Sequence, residues 1–137
     1  ETKFSLKWKT IIEGIKKNDA NAFESQFKSL GEMLGLQAER PEGEGVPDGI
    51  WNLGNKYLVF EAKTGYEEGQ KHIPPKHIRQ ASGHSKWVEE NNQANSDDIT
   101  NCIISNRLSI SGQSKHLSGN ISVITHDSVI SLAENLN

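Results

Sequence analysis

Three patterns in the sequence predict an α/β domain in which helices cover a mixed β-sheet. Phe23, Phe27, Leu30 and Leu34 recur at helical spacing on one face. The stretches DGIWNL and KYLVFEAK read as strands and flank Gly54-Asn55, a pair suited to a tight hairpin turn. After a further helical stretch come two apolar runs, ITNCIIS and ISVITH, of the kind that form buried strands.

The remaining elements follow in order. Ile11, Ile12 and Ile15 form one face of a lead-in helix within residues 1–18. The stretch Asp19 to Asn21 caps the next helix, and Gly35 is its stop. ERPEGEGVPDG is a loop, rich in glycine and proline. GYEEGQKHIPP is another, and Pro75 opens a helix running through KHIRQASGHSKWVEEN. NNQANSDD is a polar connector. Asp127 or Ser128 caps a last helix, with Val129, Ile130, Ala133 and Leu136 facing inward. After the lead-in helix the order is therefore α-β-β-α-β-β-α.

Composition narrows the classes. The 137 residues suit one domain with one core. No apolar run is long enough to cross a bilayer, so no membrane partner is expected. Cys102 is the only cysteine, which rules out an internal disulfide and fits a reducing, bacterial cytoplasm. It reads as a small buried hydrophobe. Net charge is -3, so the chain is not a generally basic nucleic-acid binder. The charge is unevenly spread. Residues 32–68 carry eight acids against Arg40, Lys56 and Lys63. Residues 71–87 and 99–126 carry none. An acidic centre between basic segments can hold a cation and an anionic polymer together, although ordinary surface patterning gives the same picture.

The sharpest feature is charge at the end of KYLVFEAK. Side chains alternate across a strand, so Leu58, Phe60 and Ala62 share one face and Tyr57, Val59, Glu61 and Lys63 the other. If the hairpin pairs about Gly54-Asn55, Asp48 and Glu61 reach the same edge of the sheet. Two carboxylates there repel unless a cation sits between them, and hard oxygen ligands suit Mg²⁺ or Mn²⁺. A Glu61–Lys63 surface pair on an edge strand is the plainer reading, but YLVF has the character of a central strand. Histidines at 72, 77 and 84 raise zinc, yet no compact ligand pair joins a cysteine.

Pro47-Asp48 followed by Glu61-Ala62-Lys63 resembles the PD-(D/E)xK nuclease motif, with an acid-to-acid gap that spans a hairpin. The resemblance runs from about Asn21 to the end of the chain. It implies a restriction-endonuclease-like core and Mg²⁺-dependent hydrolysis of DNA phosphodiesters, with Mn²⁺ able to substitute. Asp48, Glu61 and the backbone carbonyl of Ala62 become metal ligands, and Lys63 orients water or stabilises charge at phosphorus. Glu24 resembles the family's helix-borne acid, acting through water or on a second metal. Gln80 positions the metal water or touches the phosphate. Lys76, Arg79, Gln80, His84 and Lys86 lie where relatives contact DNA. The stretch EGEGVPDGIWNLGNKYLVFEAKTG also resembles nuclease domains attached to bacterial helicases and, more distantly, cleavage domains of type IIS restriction enzymes.

Glu1 in place of a methionine adds the expectation of a piece of a longer DNA-acting protein, with a motor such as a helicase as a further domain. A homodimer is another arrangement compatible with such a nuclease. Two rival classes stand beside the enzyme: an inactive nuclease-like DNA-binding or assembly module, and a small-molecule or protein-binding α/β domain carrying the motif by chance.

Overall fold

The computed structural model describes residues 2–17, 19–63, 72–105, 109–110 and 121–136. Most of the loop expected before Pro75, with Glu67, Glu68 and Lys71, lies outside the described residues. A five-stranded sheet runs in the order β1 (Gln37–Glu39), β2 (Gly49–Asn52), β3 (Tyr57–Lys63), β5 (Ile99–Ser105), β7 (Ile121–Ile124). β2 runs antiparallel to both β1 and β3, whereas β3, β5 and β7 are parallel. β4 (His72–Ile73) and β6 (Ser109–Ile110) form a separate two-stranded parallel pair. This is the mixed α/β architecture that the patterns predict.

Helices cover both faces of the sheet. α1 (Lys3–Lys16), α2 (Ala20–Met33) and α4 (His126–Glu134) bury Ile11, Ile15, Phe23, Phe27, Leu30, Val129 and Ala133 against Trp51, Phe60, Cys102 and Ile104. α3 (Pro75–Asn91) covers the opposite face, with Val88 on Ile50, Val59 and Ile99, and Ile78 and Ala81 near Ile73 and Ile103. The first core is aromatic at its centre. Phe27 stacks on Trp51 at 4.5 Å and meets Phe60 edge-on at 4.6 Å. Gly31 makes this approach possible, because a Cβ there would overlap the Trp51 indole.

Most boundaries have visible causes. The Asp19 carboxylate accepts from the Asn21 N–H at 3.1 Å and starts α2. Gly35, at φ +87°, ends it, as Leu36 N–H turns back to the Gly31 carbonyl. Leu34 therefore sits at the cap and is exposed, off the stripe that Phe23, Phe27 and Leu30 bury. The hairpin turn takes four residues, 53–56. Asn52 Oδ1 accepts from the Gly54 N–H, and Gly54 adopts φ +101°. Pro75 is the first helical residue of α3.

Three details differ from the sequence expectation. β1 is an additional edge strand, too short and too exposed to show a period. β4 and its partner β6 are two-residue strands that the patterns do not mark, β4 lying in what reads as loop. α4 starts at His126, because the Thr125 hydroxyl accepts from the Ser128 N–H at 3.0 Å and takes the capping role expected of Asp127 or Ser128. No helix among the described residues is long and apolar enough to cross a membrane.

Candidate active site

β3 is the central strand of the sheet, hydrogen-bonded to β2 on one side and β5 on the other. Its pairing with β2 sets Gly49 opposite Phe60. Asp48 directly precedes Gly49, at the end of the hairpin away from the turn. It therefore lies beside the end of β3 that carries Glu61, close enough for its charge to act on the Glu61 carboxyl.

Asp48 is held from both ends. Its N–H donates to the Phe60 carbonyl at 3.1 Å. Its Oδ2 accepts from the Ala62 N–H at 2.9 Å, so the carboxylate continues the ladder where the backbone of β2 has stopped. Glu61 is 1% exposed. Burial pushes its carboxyl above the ordinary range. A hydrogen bond from His84 opposes that rise, the Asp48 charge adds to it, and the charges of His84 and Lys63 lower it again. Glu61 Oε1 meets His84 Nδ1, whereas Oε2 is buried with no hydrogen-bond partner among the described residues. Such an orphaned carboxylate oxygen is costly in a folded protein and asks for an explanation.

Glu24 reaches the same place from α2. Its carboxyl is pushed from 4.5 up to about 7, chiefly by burial and next by the Asp48 charge. Arg40 partly offsets this, a hydrogen bond with Asp48 adds to the rise, and Glu61 adds the least. Arg40 Nη2 lies 3.7 Å from Glu24 Oε1 and donates to Asn21 Oδ1 at 2.9 Å. A cavity lined by Glu24, Arg40, Pro41, Glu42, Gly43, Val46, Pro47 and Asp48 opens beside these acids, with a volume of about 360 Å³.

The Asp48 charge thus raises the proton affinity of both Glu24 and Glu61. Among the described residues, no three His, Cys, Asp or Glu side chains converge into a ready-made metal cage. Mg²⁺ is usually held by one or two carboxylates, several waters and the substrate's phosphate. A pair of hard oxygens with one orphaned oxygen fits that need.

The structure distributes the other candidates unevenly. Lys63 shares the Glu61 face, at the strand end. Lys76, Arg79, Gln80 and Lys86 are exposed on α3. His84, expected with them as a nucleic-acid contact, is instead buried on Glu61. Its position on the buried stripe of α3 with Ile78, Ala81 and Val88 explains this. The helix-borne partner of the acids is thus His84, and Gln80, one turn earlier, faces solvent. Arg40 as the counter-ion of Glu24 was not foreseen, because nothing local in ERPEGEG marks it. The helical spacing of His84 with Ala81 and Val88 did carry a signal for burial.

No protein-family model matches this sequence, and no curated protein does. Solved structures do. The chain superimposes on restriction endonuclease FokI with a TM-score of 0.62 and 14% identity, over 92% of this chain and 26% of that one. With FokI bound to DNA the TM-score is 0.58 and the identity 17%, over 94% of this chain and 27% of that one. The chain thus spans about a quarter of the length of the FokI chains it matches. At such identities the likeness speaks for backbone architecture, and with the five-stranded mixed sheet between helices it establishes that this chain has a restriction-endonuclease-like fold.

Proposed function

We propose that the chain is a metal-dependent nuclease domain that hydrolyses DNA phosphodiesters. One observation carries this reading: Asp48, locked onto the Ala62 N–H, stands beside a buried Glu61 that keeps one oxygen unpartnered among the described residues. The fold supports it, since the similar solved structures are of a restriction endonuclease, one of them bound to DNA.

The residues have separable tasks. Asp48 and Glu61 Oε2 would hold Mg²⁺ or Mn²⁺, with the Ala62 carbonyl as a further ligand. When bound, the cation lowers the pKa of water and neutralises phosphate charge. Glu24 would hold a water at this cation, or a second cation, beside Asp48. Lys63 stabilises the charge that accumulates at phosphorus or orients the attacking water. Lys76, Arg79, Gln80 and Lys86 present donors to the DNA backbone from the exposed side of α3. With a net charge of -3, intrinsic affinity for DNA is weak, and tethering to further domains, a helicase among them, would supply local concentration.

Incubation with plasmid and single-stranded DNA in Mg²⁺, Mn²⁺ or EDTA tests the reading. Cleavage in either metal, lost in EDTA and in Asp48→Ala, is the expected result. The alternative reading is an inactive nuclease-like DNA-binding or assembly module. That module would retain DNA without cutting it in any metal.

A further inference from the structure

The contact between His84 and Glu61 is no part of the motif on which the nuclease reading stands. We propose that His84 is a positioning residue for the metal site. It ties down Glu61 Oε1, so that Oε2 alone is offered to the cation. The proposal rests on the nuclease reading and adds a residue to it.

The geometry argues this from both partners. On α3 the buried residues are Ile78, Ala81, His84 and Val88, and His84 is the polar member of an otherwise apolar stripe. An imidazole in that setting needs a partner for its ring nitrogens. The stripe packs on the sheet face to which Val59 and Glu61 point. Nδ1 meets Glu61 Oε1 there. The glutamate gains as much as the histidine. A glutamate's terminal torsion is broad, so an unanchored carboxylate turns freely between two-oxygen and one-oxygen presentation. Mg²⁺ demands near-octahedral geometry and tolerates misaligned ligands poorly. Asp48 is already anchored through the Ala62 N–H. With Glu61 anchored through His84, both carboxylates are aimed before the cation arrives. Partners of this kind behind metal ligands typically govern ten- to a hundredfold in affinity or activity.

Three variants of the full chain test it: His84→Leu, His84→Asn and His84→Gln. Asparagine places an amide nitrogen where histidine carries Nδ1. Leucine fills space with no donor. Glutamine reaches one bond further and misses that position. Mn²⁺ calorimetry is the readout, with circular dichroism confirming folding and plasmid nicking run in parallel. The expected result is a ten- to hundredfold loss of Mn²⁺ affinity in His84→Leu and near wild-type affinity in His84→Asn. In a Glu61→Gln background, His84→Leu should add no further loss. If leucine unfolds the chain, the contrast between asparagine and glutamine decides. Wild-type affinity in both leucine and glutamine variants, or equal losses in asparagine and glutamine, would overturn the proposal while wild-type nicking upheld the nuclease. A wild-type chain that neither binds Mn²⁺ nor nicks would remove the nuclease reading, and this proposal with it.

Discussion

The two faces of β3 carry the same degree of burial and opposite chemistry. On one, Phe60 meets the stacked Phe27 and Trp51 edge-on, with Leu58 and Ala62 in the same core. On the other, Val59 is followed two residues later by Glu61, which is as buried as any core side chain. Burial of Phe60 contributes about 2–3 kcal/mol. Burial of a carboxylate costs free energy unless partners compensate, and among the described residues Glu61 has one partnered oxygen and one without. The difference teaches how such a site is kept. The aromatic face stabilises the strand well enough for its other face to hold acids that a marginal strand would expel. Central placement, with neighbours on both edges, removes the freedom by which Glu61 would swing out to water.

The comparison breaks most severely at Phe60. Phe60→Ala should lower unfolding free energy by about 3–5 kcal/mol, measured by urea denaturation, and take the metal site with it. The other face should answer differently. Lys63→Ala should leave the urea midpoint nearly unchanged and slow plasmid nicking roughly a hundredfold, an effect of about 3 kcal/mol on the transition state alone. Mn²⁺ affinity by calorimetry should stay the same or rise slightly, since a nearby positive charge is gone. Full nicking in this variant would return Lys63 to a structural role.

Glu24 sharpens the contrast through pH. Its folded-state value of about 7 lies above the ordinary 4.5, so the folded chain holds the proton more tightly. The stability linked to this proton is complete below pH 4.5 and is lost as pH rises through 7. Glu24→Gln should therefore be more stable than wild type at pH 8 in EDTA, by about 2 kcal/mol, with the gain vanishing near pH 4.5. Thermal melts of both chains across that range measure it. Saturating Mn²⁺ should shrink the difference at pH 8, because the cation relieves the same repulsion. A constant difference at every pH would show that Glu24 does not titrate in this range.

The smallest effect is expected away from β3. Lys56 Nζ lies 2.9 Å from Asp98 Oδ1, in an exposed pair that tethers the hairpin turn to the start of β5. Lys56→Ala should cost under about 1 kcal/mol in the same urea experiment, and less at high salt. A larger loss would mean that the turn contributes more to placing Asp48 and Glu61 than the ladder does.

The residues of the motif were readable before any fold. Alternation separates Phe60 from Glu61, Gly54 marks the turn, and a turn there brings Asp48 to the strand end that carries Glu61. These are local facts of period and backbone conformation, so they survive in one dimension. The helices announced themselves likewise through Phe23, Phe27 and Leu30, and through Pro75. β1 and β4 did not, because strands of three and two residues have no period to read and exist only through their neighbours. The partners of the acids were equally hidden. Glu24 meets Asp48 because α2 packs on the aromatic face with its N-terminal half beside Asp48. Arg40 joins it because β1 pairs with β2. His84 finds Glu61, 23 residues earlier, because α3 lies on the opposite face of the sheet. Composition names such residues as charged or titratable. Which of them share a buried space depends on packing between elements distant in the chain, and the desolvation that raises Glu24 and Glu61 comes into being only when those elements close together.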